Sequence, residues 1–148
     1  MTSLIPRRVL LDADVFISYL TLDNLFEFSA KVIEYIVMGK ILAYVSSEIY
    51  DDVISTLRSN GVPLSKVIEF ISAISKIPHK PLPLNSEIVT QALKYYMEHG
   101  GSRKLHYFDS YHVATARYYN LPLLTSDKYI IKHSKELEIR AIDLRTIK

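Results

Sequence analysis

Short apolar runs alternate along this chain with amphipathic stretches, and polar punctuation sits between them. Val9 to Ala13 reads as a first strand. Asp23 is placed to cap a helix carrying Phe26, Val32, Ile33, Ile36 and Val37, which Gly39 ends. Ile41 to Val45 reads as a second strand, and Ser46 or Ser47 caps a helix with Ile49, Val53 and Leu57 inward, ending near Gly61. Leu64 to Ile77 has helical spacing. IPHKPLPL is extended, and its prolines confine it to a sheet edge. Asn85 or Ser86 opens a helix with Ile88, Ala92, Leu93 and Tyr96 on one face, and Phe108 to Tyr119 forms the next. Leu121 to Thr125 is a strand, Asp127 to Leu137 a helix, and Ile139 to Leu144 a last strand.

Strands separated by helices favour parallel pairing with helices on both faces. The expected fold is α/β: three α/β/α layers around a mostly parallel sheet of four to five strands. With 148 residues, no repeat and no linker, residues 1–148 read as a single domain. In such sheets, ligands sit beyond the carboxyl ends of the strands.

Four acidic residues flank the apolar runs: Asp12 in VLLDAD, Asp52 in SSEIYDDV, Asp109 in YFDSYHVATA and Asp127 in LPLLTSD. The alternation lets all four face the same end of the sheet. Clustered carboxylates repel and raise one another's pKa, so a chain that gathers them usually carries a divalent cation. Glu48 and Asp51 compete with Asp52 for the second position, and Asp14 lies two residues after Asp12. His112 has two readings, ligand or packed core residue, and the second is the commoner one for a helical histidine. Thr125 ends its strand beside Asp127. Arg103, Lys104 and His106 precede Asp109, and Lys128 follows Asp127. These cations suit a phosphate backbone, and equally an ordinary solvated loop. Tyr107 offers a ring for base stacking.

Composition narrows the chemistry. Cysteine is absent, which removes thiol catalysis, disulfides and cysteine zinc sites and suits a reducing cytoplasm. The start, MTSLIPRRVLL, lacks a signal-peptide pattern, and no apolar run is long enough to span a membrane. The net charge of +2 permits a nucleic-acid partner without demanding one.

The four acidic segments, in this order, resemble the PIN domain family of metal-dependent nucleases, particularly its small stand-alone VapC-type members. The third motif, DSYHVATA, and the fourth, TSD, carry most of the likeness, which runs from Arg8 to Leu144. The chain departs from the pattern at Asp52, where the family usually has glutamate, and at Asp14, where asparagine or another small polar residue is commoner. The resemblance implies Mg²⁺ or Mn²⁺ held by Asp12, Asp52, Asp109 and Asp127, with Thr125 fixing a carboxylate or water. It implies hydrolysis of RNA to a 5′-phosphate and a 3′-hydroxyl, a small antitoxin partner and a homodimer. Its alternative is a non-catalytic interaction module of the same fold. A haloacid-dehalogenase-type phosphatase also begins with Asp-x-Asp, but its hydroxyl-bearing strand end would come too late here, at LLTSD. A receiver domain would need an aspartate after the third strand.

Overall fold

The computed structural model describes residues 5–101 and 104–148. Its sheet has five strands: β1 (Arg8–Leu11), β2 (Leu42–Ser46), β3 (Lys80–Leu82), β4 (Leu123–Thr125) and β5 (Ala141–Asp143). Their order is β3-β2-β1-β4-β5, and every pairing is parallel. The first strand therefore lies at the centre, and β3, which lacks the N–H of Pro81, lies at an edge.

Alternation along the central strand sorts its side chains between two cores. Val9 and Leu11 join one cluster with Val32, Ile36, Ile49, Val53 and Ile74. Leu10 points the other way, into a cluster with Ile88, Ala92, Val113, Leu123 and Leu137. Side chains of successive strand residues leave opposite faces, so the unbroken apolar run Val9–Leu11 needs cover on both. One face is covered by α1 (Ala13–Thr21), α2 (Phe26–Val37), α3 (Ile49–Ser59) and α4 (Leu64–Ser75). The other is covered by α5 (Ser86–His99), α6 (Tyr107–Tyr119) and α7 (Lys128–Lys132). The result is the expected three-layer α/β/α arrangement.

Several boundaries differ from the sequence reading, each for a local reason. The first strand stops at Leu11, because the Asp12 carboxylate accepts from the Ala13 amide at 2.8 Å and starts α1 there. Asp23 does not cap α2; it holds the preceding turn by accepting from the Leu25 amide at 2.9 Å. On α5, Tyr95 is buried, whereas Leu93 and Tyr96 are exposed. The segment after Asp127 is helical for only one short element, and Glu138 adopts a left-handed φ of 57° in the turns that follow. The expected caps at Asn85 and Asp127 are present, each accepting an amide three residues on.

Candidate metal centre

Register places the first pair of site residues. Leu11 pairs with Leu124 across β1 and β4, and the Asp12 amide donates to the Leu124 carbonyl at 3.0 Å. The next residues along, Asp12 and Thr125, therefore stand side by side at the carboxyl ends of their strands. Both are buried, and the Thr125 hydroxyl donates to Asp12 Oδ2 at 2.6 Å. The same hydroxyl accepts from the Asp127 amide at 3.0 Å. One oxygen thus ties β1, β4 and the α7 cap together.

Helical phase decides which acid of α3 reaches the cleft. Asp52 is buried and follows Ile49 on the inward stripe, whereas Asp51 points to solvent. Glu48 is half-buried and lies outside the cleft lining. Asp52 is held from two sides: the Thr56 hydroxyl donates to Oδ1 at 3.3 Å, and His112 Nε2 stands 2.7 Å from Oδ2. A carboxylate only accepts, so Nε2 carries the proton of that bond.

Asp109, the third residue of α6, reaches back to the helix start. Its Oδ2 accepts from the His106 amide at 3.3 Å and lies 3.2 Å from His106 Nδ1. Asp127 caps α7 through the Ile130 amide at 3.0 Å. Asp14 turns toward the loop after β4, where the amide and hydroxyl of Ser126 both donate to its Oδ2. Its other oxygen is buried without a partner.

Asp12, Asp14, Asp52, Asp109 and Asp127 line one cleft of about 370 Å³, together with Ser55, Thr56, Ser126, His106, Tyr107 and Phe108. A larger hollow of about 580 Å³ lies between α5 and α6 and holds none of these carboxylates. Among the described residues, two groups of potential ligand atoms have members within 4.8 Å of one another: Asp12, Asp52 and His112, and His106, Asp109 and Asp127. Thus all four predicted acids converge, and Asp14, Ser126 and Thr56 join them. Lys104 and Lys128 are exposed and do not line the cleft, and Arg103 lies outside the described residues.

The electrostatics record the crowding. Burial pushes the Asp12 carboxyl well above the usual range, and the charges of Asp14, Asp109 and Asp52 push it further; the Thr125 hydrogen bond opposes them. Burial raises Asp14 to about 6 against its two bonds from Ser126, with Asp109 and Asp127 adding to the rise. Asp127 is raised, mainly by burial. His106 is shifted up in turn, first by its hydrogen bond to Asp109. Hard oxygen donors without a thiolate, an unpartnered buried carboxylate oxygen and mutual repulsion together fit a hard divalent cation.

Comparison with known proteins agrees with this geometry. The PIN domain family profile matches residues 9–136, and the chain belongs to the PIN domain family. PIN domains are generally nucleases that use divalent metal ions. No curated protein matches the sequence significantly. Among solved structures, VapBC2 from Rickettsia felis, bound to a DNA fragment from its promoter, is similar with a TM-score of 0.67 at 9% identity, covering 92% of this chain and 98% of that one. FitAcB from Neisseria gonorrhoeae gives 0.61 at 18%, covering 94% and 99%. VapBC-5, a toxin–antitoxin system member from Mycobacterium tuberculosis, gives 0.57 at 16%, covering 93% and 99%. At these identities the likeness establishes a shared fold.

Proposed function

We propose that this protein is a Mg²⁺- or Mn²⁺-dependent endoribonuclease and the toxin of a toxin–antitoxin pair. One observation carries the reading: carboxylates from four separate segments meet in one cleft, where Asp12 is held by Thr125 and crowded by its neighbours. Asp12, Asp52 and Asp109 would hold the principal ion, with Asp127 and Thr125 supporting a second ion or a water. When bound, such an ion supplies Lewis-acid stabilisation of phosphoryl charge and makes water more acidic at the site.

The chain's own residues supply positioning. Thr125 fixes the rotamer of Asp12, and Thr56 and His112 both bond Asp52. Tyr107 and Phe108 on the cleft wall present rings against which bases of a single-stranded RNA can stack. As the likeness to PIN nucleases implies, hydrolysis would proceed by attack of water and leave a 5′-phosphate and a 3′-hydroxyl. The likeness to VapBC2 and to the toxin–antitoxin protein VapBC-5 supports a small antitoxin partner, and the family resemblance adds a homodimer.

The test is cleavage of single-stranded RNA with Mn²⁺ by Asp12→Asn against the parent protein. The substitution keeps the shape and removes the charge, so cleavage should be lost; undiminished cleavage refutes the assignment. RNA binding without any metal binding by calorimetry would replace it with the non-catalytic module.

A further inference from the structure

We propose that His112 is a positioning residue for the metal centre: from inside the core, its imidazole holds the Asp52 carboxylate in the orientation that faces the cation. This rests on the metal-nuclease reading above.

The geometry is unusual for a packed helix. Residues Ser110 to Ala116 of α6 are all buried, so side chains on every side of the helix meet protein. Three in that stretch are polar with hydrogen-bonding side chains besides Tyr111. The Ser110 hydroxyl donates to the Tyr107 carbonyl and the Thr115 hydroxyl to the Tyr111 carbonyl, both within α6. His112 alone of these three bonds another element, and that bond goes to a carboxylate of the cleft, 60 residues away, at 2.7 Å. Its ring is fully buried, and Nδ1 has no partner. An apolar side chain of similar size would fill the space without leaving a nitrogen unsatisfied. What such a residue lacks is the one donor aimed at Asp52.

The bond has a consequence for ligation. Asp52 stands on a short side chain one turn into α3, and its Oδ1 receives only the long 3.3 Å bond from Thr56. Oδ2 is pinned by His112, so the lone pairs left over are directed by that contact. Partners of this kind fix the orientation of a ligating carboxylate, and losing one typically weakens metal affinity by about 10–100-fold.

The experiment compares His112→Gln with His112→Asn in the full-length protein by Mn²⁺ titration calorimetry and by RNA cleavage at saturating and limiting Mn²⁺. A glutamine amide places its N–H near the position of Nε2, whereas asparagine reaches only as far as Nδ1. Both are polar and smaller than histidine, and asparagine leaves the larger void by one methylene, a packing difference that would persist when Asp52 is changed. Gln should keep Mn²⁺ affinity within about 3-fold of the parent, Asn should lose about 10–100-fold, and excess Mn²⁺ should recover much of the Asn variant's cleavage. In an Asp52→Asn background the Gln–Asn difference should vanish, because the carboxylate being oriented is gone. Equal affinities for the two variants, high or low, overturn the positioning role while leaving the nuclease reading intact. A Gln–Asn difference that survives Asp52→Asn also overturns it. A parent protein that takes up no Mn²⁺ overturns both readings together.

Discussion

The floor and the rim of the cleft are built differently. On the floor, Thr125 bonds Asp12 across 113 residues, and His112 bonds Asp52 across 60, with all four side chains buried. On the rim, Asp109 bonds His106 and Asp127 caps Ile130, each over three residues, and the His106 side chain is 69% exposed. The floor is therefore a product of tertiary packing, whose geometry is shared with the core. The rim is a product of helix starts, which form wherever their helices form. A group fixed by long-range bonds in a dry setting holds its orientation; a solvated one is free to adjust to what arrives.

That contrast predicts a gradient of effects. The largest is at Asp12: Asp12→Asn should reduce Mn²⁺-dependent cleavage by at least about 100-fold. The same change should raise the melting temperature of metal-free protein by a few degrees, since it removes a buried charge among like charges; about 1 kcal/mol corresponds to roughly 2–4 °C at this size. A lowered melting temperature would show that the floor is not under electrostatic strain.

Acid stability gives the next effect. Asp14 is raised to about 6 by burial, so the folded protein keeps a proton that the unfolded chain has already released. That contribution is complete below the unfolded carboxyl value and disappears as pH climbs through about 6. Metal-free protein should accordingly lose on the order of 1–3 kcal/mol between pH 4 and pH 7. Urea melts at both pH values check this, and Asp14→Asn should flatten the dependence. Stability that rises over the same range in the parent protein contradicts it.

Thr125→Val should come third. It deletes the hydroxyl shared by Asp12 and the Asp127 amide, which lowers stability by about 1–2 kcal/mol and cleavage by roughly 10-fold. Asp127→Asn, on the rim, should reduce cleavage less than Asp12→Asn does in the same assay; the reverse order would invert the gradient. At the bottom, Asp51→Ala should leave cleavage and melting within error, because its side chain is exposed and outside the cleft. A loss there would move the second acid off Asp52.

The same contrast explains what could be read from the sequence. The rim acids announce themselves, since an aspartate at the start of an apolar-faced helix is a local signal. The strands and their alternation with helices were legible for the same reason, down to the proline edge at β3. The helix α1 was not, because VLLDADVFISYL is nearly continuous in hydrophobicity and only the Asp12 cap divides it. The second acid was ambiguous among Glu48, Asp51 and Asp52, and only the phase of α3 against the core separates them. The His112–Asp52 bond lay beyond the sequence altogether, as no spacing rule joins two helices 60 residues apart.

The central place of β1 has a temporal consequence. Of the five strands described, β1 is made before β4, its neighbour on the other flank, and waits for it until the segment through Thr125 has been made. A nascent chain that has reached Asn120 already carries Asp12, Asp52 and Asp109 but has neither Thr125 nor Asp127 beside them. The acidic pocket is thus withheld during synthesis and closes only when its late segment docks, a delay written into strand order.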